Sequence, residues 1–167
     1  MATFSALARH GKTAPLRFTP EQTINERMLM SPGAAWIIRR ILAGEARPRP
    51  DSAISAVVPL AWKTGTSYGY RDAWSIGVNA RYTIGVWVGR PDGTPVAGQF
   101  GFATAVPIMN QVNNLLTSYF YQNKQRPPVD PRPNSVSAAA ICWPTGKALP
   151  KEDSNCRVSR RSWILDN

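Results

Sequence analysis

Lys63-Thr64-Gly65-Thr66 is the stretch of this sequence whose residue types and order suit a definite chemistry. The ammonium of Lys63 supplies a positive field, and the hydroxyls of Thr64 and Thr66 can donate to carboxylate oxygens. Gly65 carries no side chain, so another backbone can approach the strand edge there. The N–H that follows the glycine, that of Thr66, can point at a developing oxyanion. Together these groups suit recognition of a peptide carboxylate. At average composition a Lys-Thr-Gly triplet arises by chance in roughly 4% of chains this long. A strand end with a surface lysine is therefore the competing reading, and the surroundings must decide.

Those surroundings are strand-like. Leu60–Thr66 begins with the apolar Leu60-Ala61-Trp62. In Ala73–Val78, Trp74, Ile76 and Val78 alternate with Ala73, Ser75 and Gly77. In Tyr82–Gly89, Ile84, Val86 and Val88 share a face. Asn79–Arg81 is short enough to make the last two an antiparallel hairpin, and Arg90-Pro-Asp-Gly-Thr-Pro95 is a turn by composition. A helix is predicted on each side of the strands. Ser31 is a suitable N-cap with Pro32 at the first helical position. Ala34, Ile37, Ile38, Ile41 and Leu42 follow at helical spacing, and Gly44 is a stop. The second helix is predicted from about Thr104 to Leu116, on a stripe of Ala105, Met109, Val112 and Leu116, with Pro107 in its first turn. Met1–Arg9 reads as a short helix ending near Gly11, Lys12–Glu26 as an extended connector, and 45–59, with Pro48, Pro50 and Pro59, as a loop. The fold class is α/β of the α+β type.

The chain has 167 residues, 43% of them hydrophobic, enough apolar material for one ordinary domain. Fifteen prolines and twelve glycines argue against a helical bundle. The apolar runs, such as Ala34–Ile38, fall far short of the roughly 18 residues that span a bilayer, and Met1–Arg17 lacks the apolar stretch of a secretory leader. The net charge is +10. The excess is twelve cationic residues against six acidic ones over 1–117, and eight against four over 118–167. Spread in proportion, with no aromatic-basic repeat, it argues against a nucleic-acid groove reader. The pairs Arg39-Arg40 and Arg160-Arg161 are expected on a solvated or anion-facing surface. One histidine (His10) and two cysteines cannot build a four-ligand zinc site, so no metal is expected. Cys142 and Cys156 can be bridged or free, and the sequence leaves both open. Trp36, Trp62, Trp74 and Trp87 are expected in the core or packed at a cleft edge.

Lys63-Thr-Gly-Thr-Ser67, Arg71-Asp-Ala-Trp-Ser-Ile-Gly77 and Tyr82-Thr-Ile-Gly-Val-Trp-Val-Gly89 together resemble the transpeptidase domain of class A (bifunctional) penicillin-binding proteins. Gly101–Gln111 resembles the helix that follows these strands in that family. The resemblance implies a partial transpeptidase fold in which an antiparallel three-strand meander is flanked by helices and followed by a short β-rich stub. It divides the chain into the C-terminal portion of the transpeptidase domain (1–117), a Pro-rich linker (118–134) and the start of a small β domain (135–167). It also implies peptidoglycan stem peptides and β-lactams as ligands, bound by Lys63, Thr64, Gly65 and Thr66. Ser67, Tyr68 and Tyr70 would border the same cleft. No cofactor is implied.

Family members use three motifs, Ser-x-x-Lys, Ser-x-Asn and Lys-Thr-Gly. Only the third occurs in these 167 residues. Tyr121-Gln-Asn123 could imitate the second, but it follows the Lys-Thr-Gly stretch where the family has it before. Acyl transfer needs a hydroxyl activated by a neighbouring base, so no catalytic residue is assigned and the chain alone is expected to be inactive. The glycosyltransferase region and anchor of the family are not in the sequence either. The upstream part of such an enzyme is then an expected partner, and without it the chain is expected to be marginally stable. A non-catalytic module that binds cell-wall peptide or complements another chain is the alternative. Full-length family members would lie on the periplasmic face of the inner membrane; for this chain, without leader or span, the cytoplasm is the expected alternative.

Overall fold

The computed structural model describes residues 1–44, 60–123, 130–148 and 156–166. The loop expected over 45–59 lies outside the described residues. The described elements run α1 (Ala2–Ser5), β1 (Lys12–Thr13), β2 (Arg27–Met28), α2 (Pro32–Leu42), β3 (Ala61–Thr66), β4 (Asp72–Val78) and β5 (Thr83–Gly89). A π-helical turn (Gly101–Ala105) then leads into α3 (Val106–Gln122), followed by β6 (Val136–Cys142) and β7 (Ser159–Leu165). Helices and antiparallel sheets are mixed, as the α+β reading requires.

β3, β4 and β5 form an antiparallel sheet in that order, with Lys63 opposite Ile76, Gly65 opposite Trp74, and Trp74 opposite Trp87. The hairpin between β4 and β5 turns on Asn79, whose Oδ1 accepts from the N–H groups of Arg81 (2.8 Å) and Tyr82 (3.0 Å). After β5, Asp92 Oδ1 accepts from the Thr94 N–H and hydroxyl. Those bonds, the backbone one first, hold its carboxyl below the usual carboxylate range.

Strand alternation gives the sheet two unlike faces. Trp62, Thr64, Thr66, Ala73, Ser75, Gly77, Ile84 and Val86 look toward the π-helical turn and α3. There Ile84, Val106 and Met109 are buried together, with Trp62, Val86, Val112 and Leu116 around them. The helix is longer than its apolar stripe predicted, continuing to Gln122. Among the described residues the opposite face is covered only at one end, where Leu7 packs with Ala61 and Val78 and the Met1 side chain lies over Gly85. The next row, Gly65, Trp74 and Trp87, is open. Trp74 and Trp87 are 45% and 43% exposed, with ring centroids 6.4 Å apart. Trp36 is buried and Trp62 packs beneath α3, while Trp74 and Trp87 lie outside the core, which leaves for them the cleft-edge alternative of the expectation.

α2 begins where its cap predicts, with the Ser31 hydroxyl accepting from Ala34 N–H at 3.2 Å. Its buried side is not the isoleucine stripe. Gly33, Ala35, Trp36, Arg39 and Arg40 are buried, while Ile41 is 52% exposed. The reason lies in β6 and β7, an antiparallel hairpin that rests on this helix. Trp163 meets Trp36 edge-to-face at 5.0 Å, and a Cβ on Gly33 would strike Leu165 and Ser135. Asp130 forms an ion pair with Arg39 and lies 3.7 Å from Arg40, and Arg40 lies over the Trp36 ring. The arginine pair is therefore buried against a carboxylate, not solvated as its composition suggested. Burial of charge is tolerable only with such pairing.

Cys142 and Cys156 are bridged, with Cα atoms 5.7 Å apart. Among the described residues no helix is long and apolar enough to cross a membrane.

Two measurements check this packing. Asp130→Ala removes a carboxylate paired with the buried guanidinium of Arg39 and is expected to cost about 3 kcal/mol in denaturant unfolding. An unchanged midpoint would show the pair contributes nothing. The double change Cys142→Ser, Cys156→Ser opens a loop with a sequence separation of 14 and is expected to cost about 3 kcal/mol, seen as a lower unfolding midpoint than the oxidised chain.

Candidate functional site

β3 is an edge strand, paired through β4 on one side only among the described residues. Ser67 N–H donates to Asp72 O at 2.9 Å, which fixes the phase of the ladder. In an antiparallel pair, hydrogen-bonded and non-bonded positions alternate. Residues 65 and 63 thus turn their N–H and C=O groups toward β4, while those of 62, 64 and 66 face the open edge. The Thr66 N–H, singled out in the sequence as an oxyanion donor, lies on that edge. So does the Thr64 carbonyl, which accepts from Lys63 Nζ at 2.6 Å. The ammonium thus curls around the rim of the sheet from the far face.

The four motif residues divide by side. Lys63 and Gly65 share the face that carries Trp74, whereas Thr64 and Thr66 share the face beneath the π-helical turn. The Thr66 hydroxyl accepts from Gly101 N–H at 3.1 Å. Sequence reasoning had no signal for this partner, 35 residues downstream.

Two glycines meet at this point with opposite demands. A Cβ on Gly101 would come within 2.5 Å of Trp74 O, 2.6 Å of Gly65 O and 3.2 Å of Thr64 Cβ. Two of those contacts are with backbone that cannot move aside, so only glycine allows the turn to rest on β3 and β4. A Cβ on Gly65 would meet only Trp74 Cβ, at an ordinary 3.7 Å. Internal packing does not require glycine at 65.

The neighbouring residues are arranged as a rim. Ser67 Oγ accepts from Asp72 N–H at 2.8 Å and closes the β3–β4 turn. Tyr68 is almost fully exposed. Tyr70 has φ 58°, in the left-handed region, and its ring stands edge-on to Phe100 at 5.1 Å. Trp87 Nε1 donates to Asp72 Oδ1 at 2.8 Å. Tyr121-Gln-Asn123 sits at the far end of α3, remote in sequence from β3, and the side chain of Tyr121 lies outside what the structure describes. Among the described residues no group of three His, Cys, Asp or Glu is placed to hold a metal ion.

Comparison with known proteins agrees with the strand motifs. The family described as "Penicillin-binding protein 1C linker domain" matches residues 135–164, the β6–β7 hairpin. Over 165 residues, 99% of its length, the chain is 64% identical to penicillin-binding protein 1C of Escherichia coli (strain K12). It is also 29% identical over 122 residues, 71% of its length, to penicillin-binding protein 1A of Clostridium tetani, and 28% identical over 145 residues, 84% of its length, to penicillin-binding protein 1A of Clostridium perfringens. It spans 21%, 15% and 16% of these three relatives. The chain belongs to the penicillin-binding proteins. Within them it is a fragment of the 1C kind, about a fifth of the relative's length.

The unequal glycines can be tested by thermal unfolding. Gly101→Ala is expected to lose about 2 kcal/mol through the forced displacement of the turn, whereas Gly65→Ala is expected to stay within about 0.5 kcal/mol of the parent chain. Equal losses would refute the distinction.

Proposed function

We propose that this chain carries the substrate-binding strand of a peptidoglycan transpeptidase and, by itself, binds the stem peptide without joining it to another. The observation that carries this reading is the open edge of β3. It offers the Thr66 N–H, the Thr64 and Thr66 hydroxyls and the Lys63 ammonium along one short stretch, with side-chain-free backbone at Gly65. An extended peptide can add to such an edge through main-chain hydrogen bonds, with its terminal carboxylate met by the cation and hydroxyls. The E. coli relative's name attaches penicillin binding to that protein, and β-lactams are proposed as ligands of the same strand here.

Lys63, Thr64, Gly65 and Thr66 are the binding residues in this reading, and no residue is assigned as catalytic. A serine oxygen activated by a neighbouring base is what acyl transfer requires, and the sequence has no Ser-x-x-Lys or Ser-x-Asn. Residues 1–117 are proposed as transpeptidase domain, 118–134 as linker and 135–167 as the start of a C-terminal β domain. The Cys142–Cys156 bridge supports an oxidising location such as the periplasm over the cytoplasm. The open row of Gly65, Trp74 and Trp87 favours a second reading, that this face is completed by the upstream part of the same enzyme.

Incubation with a fluorescent penicillin followed by denaturing electrophoresis is expected to leave the chain unlabelled, and a covalent band would overturn the reading. Lys63→Ala is expected to weaken binding of a stem peptide with a free C-terminal carboxylate about tenfold, the worth of one hydrogen bond to a charged group, measured by calorimetric titration.

A further inference from the structure

The Thr66 hydroxyl has one proton and two lone pairs. Gly101 N–H occupies one lone pair at 3.1 Å, and among the described residues no acceptor takes the proton. A hydroxyl that already accepts a hydrogen bond is polarised as a donor. The residue that engages it is also the one whose missing side chain lets the turn touch the Gly65 and Trp74 carbonyls. The same residue thus seats the turn and fixes the hydroxyl.

We propose that Gly101 is a positioning residue for carboxylate recognition on β3: its N–H holds the Thr66 hydroxyl so that the free proton is presented to the ligand's acid group. The inference rests on the reading of β3 as the peptide-binding strand. Gly101 touches no ligand in this scheme and acts only through Thr66. It adds to the site's selectivity for a free carboxylate over the corresponding amide, because the hydroxyl's hydrogen bond to a charged carboxylate oxygen is stronger than one to the amide's neutral carbonyl oxygen.

The test uses the whole chain, isotopically labelled for nuclear magnetic resonance, with a synthetic stem peptide as free acid and as C-terminal amide. In the parent chain the acid is expected to bind about tenfold tighter than the amide, and to shift the Gly101 backbone amide resonance where the amide does not. Thr66→Val is expected to cut the preference back to the part that the Lys63 ammonium supplies and to abolish the shift, and Thr66→Ser to restore both. Gly101→Ala, if it stays folded, is expected to lose the same part of the preference as Thr66→Val while keeping most of its affinity for the amide. Acid-selective binding that leaves the Gly101 resonance unmoved, or a preference undiminished in Thr66→Val, would overturn the positioning role while leaving the binding strand intact. A parent chain that binds neither peptide, or both alike, would overturn the binding-strand reading itself.

Discussion

A turn can rest directly on a β-strand only where the chain at the contact carries no side chain, and Gly101 meets that condition. Its backbone lies against the carbonyls of Gly65 and Trp74. This seating sets where the helix behind it crosses the sheet, and so which residues Met109 and Val106 can cover. It also closes one face of β3 and leaves the strand's outer edge as the free side. Any residue with a Cβ at 101 would lift the turn from the sheet and disturb the packing above it.

A second constraint acts on the far side of the molecule. α2 buries two arginines, and the helix is tolerable there because Asp130 lies between them. The carboxylate belongs to the segment leading into β6, so the ion pair and the Trp36–Trp163 contact hold the disulfide-closed hairpin on the helix. The helix in turn reaches the β3 end of the sheet through Leu42, which packs beside Ala61. The hairpin is thus coupled to the strand that carries Lys63 by one continuous set of packed residues.

Much of this was legible in the sequence. The apolar Leu60-Ala61-Trp62 located β3, period-two alternation located β4 and β5, Ser31-Pro32 located the start of α2, and the Ala105, Met109, Val112 stripe located the inner face of α3. Three things were not. The isoleucines of α2 read as its buried stripe, whereas the helix buries Trp36, Arg39 and Arg40, because the deciding partner, Asp130, is about ninety residues away in sequence. The division of Lys63 from Thr64 and Thr66 between faces follows from alternation and was available in principle. The seating of Gly101 was not, since a glycine that begins a helix carries no local mark of what it will touch. Trp74 and Trp87 were legible as strand residues but not as exposed ones, because hydrophobicity alone does not say which face of a sheet is covered.

That pair of indoles has one further consequence. Trp74 lies one strand in from the β3 edge with only a glycine between, and Trp87 is hydrogen-bonded to Asp72 beside it. Occupancy of the edge would alter the solvent seen by these rings, so their ultraviolet emission is an intrinsic optical gauge of that edge, needing no attached dye.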